Sequence, residues 1–209
     1  NVLTNVMAPP KYLLFPDEFT NITSLEVLEL KNYKRFIRFN DNFTVLDRAT
    51  NKGLFNLKKL TLTGSHIADF PQNLDNLETL TDLELVNCRF GTDREEGYGY
   101  YMQSIGDPTI ITEVINTIKK IPNLEKLRLS STAIKSLFRV NDGDFTSLRV
   151  LNLSEIGFEE IDLGIFNLTN LTTLTFQGNK LSDIPEEISS LVNLTVLDLG
   201  TNQLTSLPD

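Results

Sequence analysis

The sequence predicts an α/β solenoid, one elongated domain over residues 1–209, and three observations carry that prediction. The phrase L-x-x-L-x-(L/F) returns seven times, beginning at Leu25, Leu57, Leu80, Leu124, Leu148, Leu171 and Leu194, and its ninth place is Asn, Cys, Ser or Thr in five of them. The intervals are 32, 23, 44, 24, 23 and 23 residues, a unit of 23 broken by two insertions about 32–52 and 91–121. Inside each phrase, apolar residues such as Leu127 and Leu129 alternate with polar ones, which places them on one side of a short strand. A second apolar set follows at spacings of three or four, as in Leu181, Ile184, Ile188 and Leu191, and closes the coil on its return. Such units bury their apolar faces only against neighbouring units, so they stack into one array with a parallel sheet. Seven strands at about 4.8 Å make a body roughly 30 Å long.

The wording of the units is specific. Residues 171–185 read LTTLTFQGNKLSDIP and residues 194–208 read LTVLDLGTNQLTSLP. This resembles the leucine-rich repeat family, over about residues 12–208, with the tail form x-IP-x-x-I-x-x-L of bacterial and plant members. The resemblance implies a right-handed superhelix with the parallel sheet on its concave face and short helices or turns on its convex face. It also implies a module that recognises a partner.

Each segment has a reading of its own. Residues 1–24 form a partial N-terminal coil, since Phe15-Pro16, Phe19 and Ile22 match the tail of a unit. Val2 to Met7 offers a strand for it, although Asn5 falls on a core position, and Pro9-Pro10 ends any ladder there. The 32–52 insertion mixes aromatics with Lys34, Arg35, Arg38 and Arg48. The 91–121 insertion opens with a polar, glycine-containing stretch holding Tyr98, Tyr100 and Tyr101, then becomes a helix. Asp107 is its N-cap and Pro108 its first residue, with an apolar stripe of Ile111, Val114, Ile115 and Ile118; Pro122 ends it. Both insertions are expected to leave just after their strands and form one lip beside the inner sheet. The tyrosines either cover the lip's own core or contact a partner. A terminal coil exposes its apolar edge, so the chain reads as an excerpt of a longer protein.

The ninth place of the phrase faces the turn after the strand. Asn179 and Asn202 are expected to hydrogen-bond the backbone of adjacent coils from there. Cys88, Ser65 and Thr132 can serve less well, and Ile156 and Tyr33 cannot. Cys88 is therefore structural. As the only cysteine it excludes the disulfide caps of many animal extracellular repeat proteins.

Net charge is −9 with a pI near 4.7, which disfavours nucleic acid, whose phosphates need a basic stripe. No apolar run approaches a membrane span and no secretory signal is present. The missing initiator methionine, the acidic charge and the single cysteine favour a secreted or bacterial cell-surface chain over a cytoplasmic one. Six N-x-S/T triplets occur, at Asn21, Asn42, Asn152, Asn167, Asn170 and Asn193; four of them are the repeat wording N-L-T or N-L-S, which is favoured over a reading as glycosylation acceptors. Catalytic constellations are absent: His66 is the only histidine and is read as a surface turn residue. Asp93, Glu95 and Glu96 lack calcium-loop spacing, and no cofactor or metal is expected.

The expected function is thus non-catalytic binding of a protein through the inner sheet and the lip. Candidate ligand-binding residues are Lys59, Asp82, Glu84, Lys126, Arg128 and Asn152 on the strands, with Tyr98, Tyr100 and Tyr101 on the lip. Asp82 is expected beside Lys126, and Glu84 beside Arg128, in adjacent strands. Two other readings stay open. One is the targeting or sensor arm of a multidomain enzyme, such as a ubiquitin ligase effector or a GTPase. The other is a structural spacer of a cell-surface adhesin.

Overall fold

A computed structural model describes residues 12–33, 36–39, 41–47, 49, 52–91, 108–132, 134, 139–141 and 143–208. Their strands are β1 (Tyr12–Leu14), β2 (Val27–Lys31), β3 (Phe36–Arg38), β4 (Lys59–Thr63), β5 (His66–Asp69) and β6 (Asp82–Val86). Then follow β7 (Arg89–Phe90), β8 (Lys126–Arg128), β9 (Val150–Asn152), β10 (Thr173–Thr175) and β11 (Val196–Asp198). Every phrase of the repeat supplies one strand of a seven-stranded parallel sheet, ordered β11-β10-β9-β8-β6-β4-β2. The expected solenoid is therefore the observed fold. Its register matches phrase to phrase, so that Leu60, Leu83, Leu127, Leu151 and Leu174 lie side by side. These five leucines are at most 1% exposed. Parallel pairing requires a crossover after each strand, and the return segments supply it with their own buried residues, such as Leu54, Leu77, Ile118, Leu168 and Leu191.

Each strand is left by a residue with left-handed backbone at the eighth place of the phrase. Asn32, Gly64, Asn87, Ser131, Glu155, Gly178 and Thr201 all have φ between 51° and 70°. The bend keeps the N–H in the ladder: Asn32 donates to Thr63, Gly64 to Val86, Asn87 to Ser130, Ser131 to Ser154, Glu155 to Gln177 and Gly178 to Gly200. The coil spacing thus selects the dihedral, and the chain tolerates unsuitable residues there. Thr201 is the least suited, because its branched Cβ crowds the following carbonyl in this conformation. Thr201→Asn is expected to stabilise the chain by about 1 kcal/mol, read as a higher urea midpoint. An unchanged midpoint would mean that the threonine is not strained.

The convex side differs from expectation. It carries helical turns, among them the 3-10 segments Asp17–Asn21, Leu163–Asn167 and Glu186–Ser190, but also a second parallel sheet ordered β1-β3-β5-β7. Ile37, Ile67 and Phe90 in that sheet are buried and suited to extended backbone. Among the described residues of the C-terminal coils, single bonds such as Lys180 N–H to the Phe158 carbonyl join the same places. His66 is consequently a half-buried strand residue rather than a turn residue. Burial, then the charge of Arg89 opposite it, pushes its imidazole below the ordinary value.

The described residues between 32 and 52 likewise include regular elements. They hold β3, the 3-10 segment Asp41–Thr44 and an antiparallel bridge between Asp47 and Lys52. Arg38 pairs with Asp69, so Phe39 and Phe43 occupy the places that Phe70 and Leu74 hold one coil later, and most of the surplus residues fall after Thr44. That places this excursion on the return side of its coil, whereas the second insertion departs after β7. The lip expected of the two insertions falls largely on residues outside the described ones. The predicted helix is α1 (Pro108–Lys119), which buries Ile111, Val114, Ile115 and Ile118. Lys119 pairs with Asp144 at 2.9 Å, tying the helix to the next coil. Val2 to Met7, Asp107 and the 92–107 stretch with its tyrosines lie outside the described residues.

Two polar ladders join the coils. The residue before each phrase from the second onward donates to the carbonyl two places before the preceding phrase. The donors and acceptors are Asn56 to Thr23, Thr79 to Phe55, Asn123 to Glu78, Ser147 to Pro122, Asn170 to Thr146 and Asn193 to Thr169. The asparagines of two N-L-T triplets thus serve the stacking. At the ninth place, Cys88 is 2% exposed and its Sγ lies 3.2 Å from the Leu62 carbonyl. Burial pushes its thiol up to about 11. Cys88 is therefore expected to resist iodoacetamide at pH 8 until the chain unfolds. Above pH 9 the unfolded thiol ionises first, so stability should fall by roughly 2–3 kcal/mol as pH rises to 11. Fast native-state alkylation would contradict the burial.

Candidate functional site

Alternation along the strands turns the third, fifth and seventh places of each phrase away from the core. Across the seven-stranded sheet these places form rows. The third-place row runs Val27, Lys59, Asp82, Lys126, Val150, Thr173, Val196. The fifth-place row runs Glu29, Thr61, Glu84, Arg128, Asn152, Thr175, Asp198. Lys59, Asp82, Glu84, Lys126, Arg128 and Asn152 are therefore brought together on four adjacent strands. Tyr98, Tyr100 and Tyr101 lie outside the described residues.

Most charges on this face are already paired. Lys126 Nζ donates to Asp82 Oδ1 at 2.9 Å, the pairing expected from the register. That hydrogen bond, reinforced by the Asp82 charge, holds the Lys126 ammonium above its ordinary value. Lys31 pairs with Glu29 at 2.6 Å and holds that carboxyl below its ordinary value. Glu84 faces Arg128 in register, as expected, but its ion pair is with Lys59 on the other side, at 3.0 Å. The Lys59 ammonium reaches diagonally to Glu84, the register partner of Thr61, whose Oγ1 lies buried without a partner among the described residues. Pairs this exposed contribute about 0–1 kcal/mol each, so they set the pattern of the face more than its stability.

Arg128 is left without a carboxylate among the described residues, and it is exposed. Its Nε donates to Ser130 Oγ at 3.2 Å, and Ser130 donates in turn to Asn152 Oδ1 at 2.9 Å. Asn152 Oδ1 also accepts the Ser154 N–H at 3.0 Å. The guanidinium is thus anchored through Nε on an exposed side chain. Sequence reasoning did not single out Asp198. It ends the same row, and its Oδ1 accepts the Gly200 N–H at 2.9 Å. The signal was its fifth-place position in a phrase with no lysine or arginine.

Other chemistry is sparse. No group of three or more histidine, cysteine or acidic residues that could hold a metal occurs among the described residues. No helix among them is long and apolar enough to cross a membrane. A shallow hollow of about 330 Å³ lies on the convex side, lined by Phe39, Thr44, Asp69, Phe70, Pro71, Gln72 and Asn73.

Comparison with known proteins agrees with this geometry. Residues 169–209 match a family model described as leucine-rich repeats in two copies. Among solved structures, an internalin from Listeria monocytogenes gives a TM-score of 0.50 at 21% identity, over 92% of this chain and 46% of that one. TLR13, in its complex with ssRNA13, gives 0.53 at 23% identity, over 83% of this chain and 22% of that one. A leucine-rich repeat protein from Leptospira interrogans gives 0.41 at 22% identity, over 91% and 52%. The chain thus spans about half or less of each. The first two likenesses show the fold, a leucine-rich repeat solenoid. No curated protein matches the sequence.

Proposed function

We propose that this leucine-rich repeat chain is a non-catalytic recognition module that binds a protein partner on the face of its seven-stranded sheet. One observation carries the reading. Six charged and polar residues from four coils stand side by side on a sheet whose opposite side is sealed in the core. Each leucine phrase keeps its neighbour in register, so the array is held rigid while every exposed place is free to vary. Rigid presentation lowers the ordering cost of association. The acidic charge and the single, buried cysteine favour action at a bacterial surface or in secreted form.

The test places a photo-crosslinking residue at Thr173 on the sheet face or at Glu160 on the opposite side. Adducts with a protein partner are expected from position 173 only, and Arg128→Glu should weaken binding at least tenfold. Adducts from position 160 alone would move the site off the sheet. A face that yields no protein adduct would favour the spacer reading.

A further inference from the structure

We propose that Arg128 and Asn152 form a carboxylate site on the sheet face, which receives an aspartate or glutamate side chain of the protein partner. The inference rests on the recognition reading above and names the chemistry that the same face selects.

Four cations stand at the outward places of the seven strands: Lys31, Lys59, Lys126 and Arg128. Three of them are met within the chain, Lys31 by Glu29, Lys59 by Glu84 and Lys126 by Asp82. Arg128 has no carboxylate among the described residues, although Glu84 faces it in register. It stands in the interior of the sheet, on β8, with β6 and β9 on either side. The register neighbour of Arg128 on β9 is Asn152. Asn152 Oδ1 accepts from Ser130 Oγ at 2.9 Å and from the Ser154 N–H at 3.0 Å. A backbone N–H can be met only by the amide oxygen, so the orientation of this amide is fixed. Its Nδ2 is left with no acceptor among the described residues, on a side chain half-open to solvent. The same Ser130 holds the Arg128 guanidinium through Nε at 3.2 Å, and its Nη groups likewise have no acceptor among the described residues. Two donor groups, one of them charged, therefore stand on strands about 4.8 Å apart, positioned by one shared serine.

A carboxylate is the group that such a pair selects. It only accepts hydrogen bonds, and its two oxygens can take one donor from each strand while its charge meets the guanidinium. A basic side chain would be repelled, and a neutral amide would lack the charge-assisted bond. A phosphate dianion calls for a second cation, and the other three on the face are already neutralised. An arginine–carboxylate pair in open water contributes little. Covered by a docked partner it is desolvated, and losing one member then leaves the other unpaired, which makes the contact selective. The setting allows that cover. Val150 and Thr173, beside the pair in the third-place row, are neutral and half-buried, so a partner can close over them without stripping water from a charge.

The experiment selects a random decapeptide display library on the full chain, in parallel with Arg128→Gln and Asn152→Asp variants whose folding is checked by urea unfolding. Asn152→Asp keeps both accepted hydrogen bonds and replaces the Nδ2 donor with an anion beside Arg128. Binders to the native chain are expected to enrich aspartate or glutamate at one position, and both variants to lose that enrichment. For a selected peptide, changing its acid to the amide should cost at least fivefold in Kd on the native chain and less than twofold on the Arg128→Gln chain. Inorganic phosphate at constant ionic strength should leave the Kd of that peptide unchanged. Binders without an acid, acid enrichment that survives on either folded variant, displacement by phosphate, or no binders at all overturns the proposal. Partner crosslinks at Thr173 together with one of those outcomes would overturn this proposal and leave the recognition reading standing. Crosslinks confined to Glu160 would remove both.

Discussion

Asn179→Ala is expected to destabilise the chain by about 4 kcal/mol, because one buried amide completes five backbone groups. Its Oδ1 accepts the N–H groups of Ile156, Gly157 and Phe158 at 2.8–3.2 Å, and its Nδ2 donates to the Leu153 and Phe176 carbonyls. Asn179 is 5% exposed, so water does not replace those bonds without opening the stack. Urea unfolding of the variant checks it, and a loss under 1 kcal/mol would show that the turn at residues 156–158 relaxes to satisfy itself. Asn202→Ala is the internal control. That amide bonds Leu181, Phe176 and Leu199 in the same way but is only half-buried, and water reaches the groups it would leave, so the loss should be smaller.

Gly164→Ala should cost about 3 kcal/mol, against the usual gain of an alanine in a helical turn. A Cβ at Gly164 would run into the Val140 carbonyl oxygen of the preceding coil and stand 2.9 Å from Asp162 Oδ1. That carboxylate is fixed, since Oδ1 accepts the Val140 N–H at 3.1 Å and Oδ2 pairs with Arg139. Neither neighbour is the free end of a flexible side chain, so the coils must separate to admit one methyl group. Gly143→Ala offers a comparison without a clash: its φ is +85°, and a Cβ there meets nothing within 4 Å. Only backbone strain of about 1 kcal/mol is expected for it. Equal urea midpoints for the two variants would show that the close approach at Gly164 yields readily.

Much of the architecture was open to reading in one dimension, because a stacked coil repeats its requirements every turn. Leu60, Leu83 and Leu127 announce the same place in the same strand, and Asp107 to Pro122 bracket α1 with ordinary helix signals. The left-handed eighth place was also written in the chain, in Gly64, Gly178, Asn32 and Asn87. Thr201 and Glu155 obscured it, since stacking imposes the dihedral there over local preference. The second sheet was illegible for a related reason. Ile37 and Ile67 fit a strand or a packed turn equally well, and the inter-coil bonds decide between them. On the candidate face, the register placed Glu84 beside Arg128, but a carboxylate between two cations takes the one whose side chain reaches it, here Lys59.

The sequence alone determined a leucine-rich coil, the strand in each of its seven phrases and the side of the sheet on which each residue stands. Those follow from period and polarity, which are properties of neighbours along the chain. Only the tertiary structure decided which carboxylate neutralises which ammonium, that Arg128 has none among the described residues, and that Gly164 lies too close to the Val140 backbone to carry a side chain. Those depend on distances of 3–4 Å between residues some 20 to 45 places apart, where side-chain reach and coil spacing choose among partners that the period leaves equivalent.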